Sequence, residues 1–395
     1  MNVILIRSDL YETSEYHGKP LWLPASRDEI QDAMDRARIK AGQEYKIVEC
    51  LSSEGGELPF IPESPPLAAL NFLAWRISTM DEYERIAFAG CAIKGDESMG
   101  MRDLINLTYN LDEVHVISAR NDRELGEFYV YNDFIDAISH IPPEYQEEML
   151  ELLDYEKIGR REREAEGGIY YKGCYVVQGS GGWNEVYDGT HLPDLTEEPT
   201  YVLKLRLMDA ALTPAVPDSE HTVSLLLPAA EKEIMVAIEQ LGVTSLEECV
   251  ICQCESPFPA LEYALSLSED IDKMNLLAEH IRELEHRGEF PKFKAVFEIA
   301  YGKGLDYVLD LTRNLDCFDF YPELSSLKDY AMQKFLNRYQ IPEDAPELKL
   351  IDFSRSGFKW MQETNIHATD YGVICRNDRE MMLEYSNPQL GQQML

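Results

Sequence analysis

Four glutamates carry the most distinctive chemical pattern in this sequence. Glu144, Glu147, Glu148 and Glu151 follow i, i+3, i+4, i+7 spacing, which puts them in one stripe of a helix. At 1.5 Å per residue the stripe spans about 10.5 Å, one carboxylate per roughly 3 Å. A strand of B-DNA carries one phosphate per about 3.4 Å of axis. Like charges at i, i+4 cost roughly 0.2–0.5 kcal/mol per pair, and no lysine is interleaved to relieve them. A plain solvated helix face would give the same pattern. The surroundings point the same way, however. Residues 112–156 hold 13 acids against two bases, Arg120 and Arg123. Asp112, Glu113, Asp122, Glu124, Glu127, Asp133 and Asp136 join the four glutamates as candidate partner-binding carboxylates.

Catalytic patterns are missing. No GxGxxG, GxxxxGK[ST] or HExxH occurs, and Gly179-Ser180-Gly181-Gly182 does not satisfy GxSxG. Cys249, Cys252 and Cys254 form CxxCxC, which needs a fourth ligand such as Cys317 or His280 to hold zinc. The first half has only Cys50 at the matching positions, so these cysteines read as buried thiols. The eight histidines are scattered. The expectation is a protein that is not an enzyme and carries no cofactor or metal.

The whole chain shares the bias. Its 395 residues carry 72 acids and 36 bases, a net charge of −36. Apolar residues still reach 45%, enough to build cores, which a disordered acidic chain lacks. Such charge repels nucleic acid and anionic membranes and favours a basic partner. No apolar run approaches the roughly 18 residues of a membrane span. Met1–Arg7 reads as a short strand rather than a leader. Eight cysteines do not make a disulfide framework, so the cytoplasm is expected.

The elements that position the carboxylates come twice. Residues 21–30 (LWLPASRDEI) match 225–234 (LLLPAAEKEI) at a shift of 204. At the same shift Asn71 falls on Asn275, and 107–112 (LTYNLD) on 311–316 (LTRNLD). Further on the shift is 198, where Leu153-Asp154-Tyr155 with Gly159 matches Ile351-Asp352-Phe353 with Gly357. The chain reads as an α+β protein of two tandem modules, 1–188 and 199–380, with a linker at 189–198 and a tail at 381–395. The first module divides into an α/β part (1–62), a helical middle (63–108) and an α/β end (109–180). Strands are expected at Val3–Ile6, Tyr45–Cys50, Tyr201–Leu207 and Cys249–Cys254. Ser26 with Glu29 forms a capping box that Ala230 loses in the second module. One helix is expected over 143–165, with Tyr145, Met149, Leu152 and Leu153 as its apolar stripe, then a hairpin over 169–178. Residues 1–200 carry a net −21 and the remainder −15.

Residues 152–161 (LLDYEKIGRR), the acidic turn to Gly167-Gly168 and the strand Gly173–Val177 resemble the terminal motif of ArdA-type antirestriction proteins. Ala69-Leu70-Asn71 and Leu125–Tyr129 are similar to that family too, and the resemblance covers most of 1–180. The second module keeps Asp352, Phe353 and Gly357, but Arg160 becomes Phe358. The resemblance implies an acidic DNA mimic. Such a protein occupies the DNA-binding groove of a type I restriction–modification enzyme and blocks restriction and modification. Family members are carried by plasmids, conjugative transposons and phages. They are elongated homodimers of chains about half this length. Asp154, Tyr155, Gly159 and Arg160 are then the family-motif residues, with Gly159 expected at a helix end or close backbone approach and Arg160 paired inside the protein. The tandem modules could form a pseudo-dimer within one chain, or the chain a homodimer. The other reading is an acidic regulator or assembly protein of a mobile element, bound to another basic DNA-binding protein.

Overall fold

In the computed structural model the described residues are all but 12–17, 53–57, 59–60, 63–64, 96–98, 136–141, 194–199, 213–220, 266–269, 301–302 and 387–395, together with the side chains of 143, 144, 146, 147, 263 and 360–364. The fold is α+β. Among the described residues, helices alternate with four three-stranded sheets.

The first repeat runs β1 (Asn2–Arg7), β2 (Lys19–Trp22), α1 (Arg27–Arg36), β3 (Tyr45–Leu51), α2 (Leu67–Ser78), α3 (Glu82–Gly95), α4 (Met101–Leu107), β4 (Val114–Ile117), α5 (Asp122–Tyr131), α6 (Pro143–Leu152), α7 (Tyr155–Glu166), β5 (Ile169–Tyr171) and β6 (Cys174–Gln178). The second runs β7 (Leu203–Asp209), β8 (Val223–Leu227), α8 (Glu231–Leu241), β9 (Cys249–Glu255), α9 (Pro259–Ala264), α10 (Ile271–His286), α11 (Phe290–Ile299), α12 (Leu305–Arg313), β10 (Phe318–Tyr321), α13 (Leu327–Tyr339), α14 (Phe353–Thr364), β11 (Ile366–Thr369) and β12 (Gly372–Arg376). The strand orders match: β2-β1-β3 corresponds to β8-β7-β9, and β4-β6-β5 to β10-β12-β11.

The same residues make the same local bonds. Asn71 closes a two-bond ring with the backbone of Ala25, and Asn275 does so with Ala229. The Asn106 Oδ1 accepts from the amides of Val186 and Tyr187, both at 2.8 Å. Asp310 takes its place, accepting from Glu384, Tyr385 and Ser386 amides and the Ser386 hydroxyl. Asn110 binds Asn184, and Asn314 binds Met382, each through backbone N–H and C=O. After its last strand each repeat is thus strapped back onto the end of its third middle helix. Ser26 and Glu29 complete their capping box. Ala230 keeps half of it, donating its amide to Glu233 at 2.7 Å.

The core explains the apolar spacing. On α10, Ile271, Met274, Leu277, Ala278, Ile281 and Leu284 are buried on one face. Each large side chain so buried contributes about 1.5–3 kcal/mol.

The chain divides into two compact units. One comprises Met1–Ile4, Pro20–Ala25 and Lys46–Thr196, and the other Leu5–Lys19, Ser26–Tyr45 and Glu197–Leu395. Helix α1 lies in the second of these. There Lys294 is buried, with its ammonium 2.7 Å from Asp32 and 3.1 Å from Asp35. The rings of Phe290, Tyr371 and Phe258 surround it at 4.5, 5.5 and 5.7 Å. Asp32, also buried, accepts from Arg36 and from the Tyr371 hydroxyl. Burial first, and then Asp32, pushes the Tyr371 hydroxyl pKa far up.

One helix departs from the sequence pattern. The expected helix over 143–165 breaks at Leu153, whose ψ is 137°. Asp154 then caps α7, accepting from the Lys157 amide at 3.1 Å. The expected apolar stripe of α6 is not its buried face. Leu150 and Leu153 pack on the α5 core, while Tyr145, Met149 and Leu152 are exposed, Leu152 at 72%. Tyr155 fixes this orientation by donating its hydroxyl to the Leu150 carbonyl.

Candidate partner-binding site

The candidate carboxylates lie on the terminal α/β part of the first repeat. Asp112 is exposed and Glu113 half-buried on the turn before β4, with the Glu113 carboxylate against Gly181. Asp133 is exposed just after α5. Glu148 and Glu151 are exposed on α6. Among the described residues none of Asp112, Asp133, Glu148 and Glu151 forms an ion pair with lysine or arginine. Asp136 lies outside the described residues, as do the side chains of Glu144 and Glu147.

Three candidates have internal work. Glu124 accepts from the Arg120 amide and is itself capped by Asn121. Glu127 pairs with Arg123 one turn away. Asp122 is the hub of a network, accepting from Arg163 Nε and from the Tyr170 hydroxyl at 2.8 Å each. Arg160 reaches Asp122 at 3.5 Å and Glu156 at 2.8 Å. The Arg163 guanidinium first, then Tyr170 and Arg160, hold the Asp122 pKa down at about 2. Arg163, Tyr170 and Glu156 had no flag in the sequence, although Arg160 and Arg163 at i, i+3 share a helix face.

This network has a pH signature. A depressed folded-state pKa stabilises above the unfolded value, near 4, and that contribution disappears as pH falls towards 2. Asp122→Asn is expected to cost on the order of 1–2 kcal/mol at pH 7. Urea unfolding at pH 7, 4 and 3 checks it: the difference from the parent protein should shrink steadily below pH 4.

The motif residues build the support beneath these acids. Gly159 lies inside α7 and faces Gly126 of α5. A methyl group on Gly159 would overlap the Asp122 carbonyl oxygen and come within 2.7 Å of the Gly126 amide. A methyl on Gly126 would overlap the Tyr155 carbonyl and lie 2.9 Å from the Gly159 amide. The glycine pair therefore sets how closely α5 and α7 cross. Tyr155 stacks on Tyr131 with ring centroids 6.1 Å apart.

The second repeat keeps the frame and loses the network. Asp352 caps α14 through the Arg355 amide, and Gly357 sits where a methyl would meet the Leu327 carbonyl carbon at 2.7 Å. Phe353 is buried. Leu327 stands against Gly357 where Asp122 stands against Gly159, and at the shift of 198 Arg163 and Tyr170 become Met361 and Ala368.

No protein-family model matches this chain, and no curated protein gives a significant match.

No group of three or more His, Cys, Asp or Glu among the described residues is placed to hold a metal ion. The Cys249, Cys252 and Cys254 thiols are free, and burial pushes the Cys254 pKa up to about 11. His280 bonds Thr312 at 2.8 Å, and Cys317 is buried. No described helix is long and apolar enough to cross a membrane. An open groove of about 600 Å³ beside α7 has a mixed lining, with Lys157, Arg160 and Arg161 beside Asp154 and Glu164 and the apolar Leu152, Leu153 and Ile158.

Proposed function

We propose that this protein is an antirestriction DNA mimic of ArdA type. It occupies the DNA-binding groove of a type I restriction–modification enzyme and thereby blocks restriction and modification. The observation that carries this reading is the set of exposed carboxylates at Asp112, Asp133, Glu148 and Glu151, with no basic partner among the described residues. They sit in a segment with 13 acids and two bases, in a chain of net charge −36. The resemblance of residues 152–161 supplies the target class. Carboxylates replace phosphates against the target's basic groove, and the summed field steers the encounter. Exposed Tyr131, Phe134, Tyr145 and Leu152 add apolar contact at the same part of the fold.

The geometry narrows which acids to test. Asp122, Glu124 and Glu127 are already engaged by Arg163, the Arg120 amide and Arg123 and are left intact. Asp112, Glu113, Asp133, Glu144, Glu147, Glu148 and Glu151 are changed to amides together. At about 0.5 kcal/mol per charge, inhibition of restriction should weaken by roughly a few hundred-fold. Any single change should alter it less than about threefold. Full inhibition by the seven-site variant sinks the reading. Tight binding to a basic protein of the same mobile element, with no effect on restriction, would instead favour the regulator.

A further inference from the structure

We propose that the terminal α/β part of the second repeat is a cationic docking surface for an acidic, amphipathic segment of a partner protein. The proposal does not depend on the function given above.

Matching the two repeats shows what has become of the acids. Asn121 caps α5 through the Glu124 amide, and the Arg120 amide binds the Glu124 carboxylate. Ser326 caps α13 through the Asp329 amide, and the Ser325 amide binds the Asp329 carboxylate. These bonds set a shift of 205, which places Asp133 on Arg338. At the shift of 198, Glu148 and Glu151 fall on Pro346 and Lys349. At 204, Asp112 falls on Asp316, which Arg379 pairs at 2.7 Å. None of the four exposed, unpaired acids of the first repeat has an unpaired acid as its counterpart, and two have a cation.

The charge of the whole segment moves with them. Residues 119–161 hold 11 acids and five bases, and the matching residues 324–359 hold five acids and six bases. In a chain of net charge −36 that is a local reversal of sign. Asp329 and Asp352 are bound to backbone amides, while Glu343, Asp344 and Glu347 lie on the turn before Lys349. Four of the bases are exposed and form no ion pair among the described residues. They are Lys334 and Arg338, one turn apart on α13, Lys349 just before α14, and Arg355 in its first turn.

One small core holds these four together. Ala331, Leu348 and Phe353 are its centre, with Phe335, Leu336 and Ile341 packed against it. The Phe335 ring lies 5.5 Å from that of Phe353 and 4.7 Å from that of Tyr339, so the end of α13 meets the start of α14. Exposed Tyr339 follows Arg338, and Leu350, 87% exposed, follows Lys349. Cations interleaved with apolar side chains suit carboxylates carried by a protein segment that has an apolar face of its own. A DNA duplex offers no such apolar contact along its backbone, and the net charge of the chain repels it.

Fluorescence anisotropy with the full chain at about 50 mM salt tests this. The probe is a labelled amphipathic peptide of leucine and glutamate, beside its leucine–glutamine counterpart and a labelled DNA duplex. The glutamate peptide should bind with a Kd on the order of 10–100 μM, and the other two much more weakly. Reversing all four cations, K334E/R338E/K349E/R355E, should weaken binding at least about tenfold. K334E/R338E and K349E/R355E should each give part of that loss, so no single misfolded variant decides the matter. Arg27, Arg85, Arg206 and Lys232 are also exposed and without an ion pair among the described residues. Reversing those four instead changes the net charge equally and should leave binding within about twofold. No binding at about 1 mM chain overturns the proposal. So does a four-site variant that binds like this control, or a glutamine peptide or duplex that binds as tightly as the glutamate peptide.

Discussion

Replacing Lys294 by methionine is expected to lower the unfolding free energy by about 3–5 kcal/mol. The cost comes from what remains. Asp32 and Asp35 would stay close together with their ammonium gone, and Asp32 is almost wholly enclosed. Arg36 and Tyr371 still bind Asp32, so the loss should not exceed that range. Three aromatic rings around the site would accept a methionine side chain without a void. K294M/D32N/D35N should therefore recover most of the stability, because removing all the charges also removes their desolvation cost. Denaturant midpoints of the parent, single and triple variants decide it. A harmless single variant would mean that the acids find water or another cation.

The second large effect is expected at Gly159. Gly159→Ala adds one methyl where the Asp122 carbonyl and the Gly126 amide already stand. Neither is a flexible side chain that can step aside, so α5 and α7 must separate. That disturbs the core of Leu125, Tyr129 and Tyr175, with Leu153, Tyr155 and Ile158 packed on it. It also pulls Asp122 away from Arg163. We expect a loss of at least about 3 kcal/mol, above the usual 1–3 for overpacking because backbone moves. Alanine ordinarily stabilises a helix interior relative to glycine by roughly 0.5–1 kcal/mol, so the sign of the result is itself diagnostic. Thermal unfolding of Gly159→Ala beside an exposed control, Glu164→Ala, measures it.

Much of the frame was legible because the chain states it twice. The shift of 204 that aligns Asn71 with Asn275 aligns two identical side-chain rings to the backbone. The shift of 198 that aligns Asp154 and Gly159 with Asp352 and Gly357 aligns two helix caps and two close helix crossings. Gly159 itself marks the close backbone approach and not a helix end. The break at Leu153–Asp154 was hidden because both flanking segments have helical composition, and only the cap of Asp154 separates them. The orientation of α6 was hidden too. Tyr145, Met149 and Leu152 make a good apolar stripe on paper, but Leu150 and Leu153 are the ones that α5 covers.

The acids themselves were legible as charge and not as roles. Asp122, Glu124 and Glu127 look like their neighbours in sequence. Arg163, the Arg120 amide and Arg123 engage them. Arg163 is distant in sequence and the Arg120 amide belongs to the backbone, where residue type carries no signal; only the Arg123–Glu127 pair, at i, i+4, has the spacing of a helical ion pair. The buried lysine was equally silent. Lys294 lies in an ordinary helical segment, and its two acids are some 260 residues upstream.

Competition for a type I methyltransferase tests DNA mimicry most directly. Labelled duplex carrying the recognition site is bound to the purified enzyme, and this protein is titrated in at several salt concentrations. The account predicts complete displacement of the duplex, without a ternary complex, and an affinity that falls as salt rises. The variant neutralised at Asp112, Glu113, Asp133, Glu144, Glu147, Glu148 and Glu151 should fail to displace it. A ternary complex of enzyme, duplex and protein would contradict the account, as would displacement by the neutralised variant at the parent's concentration.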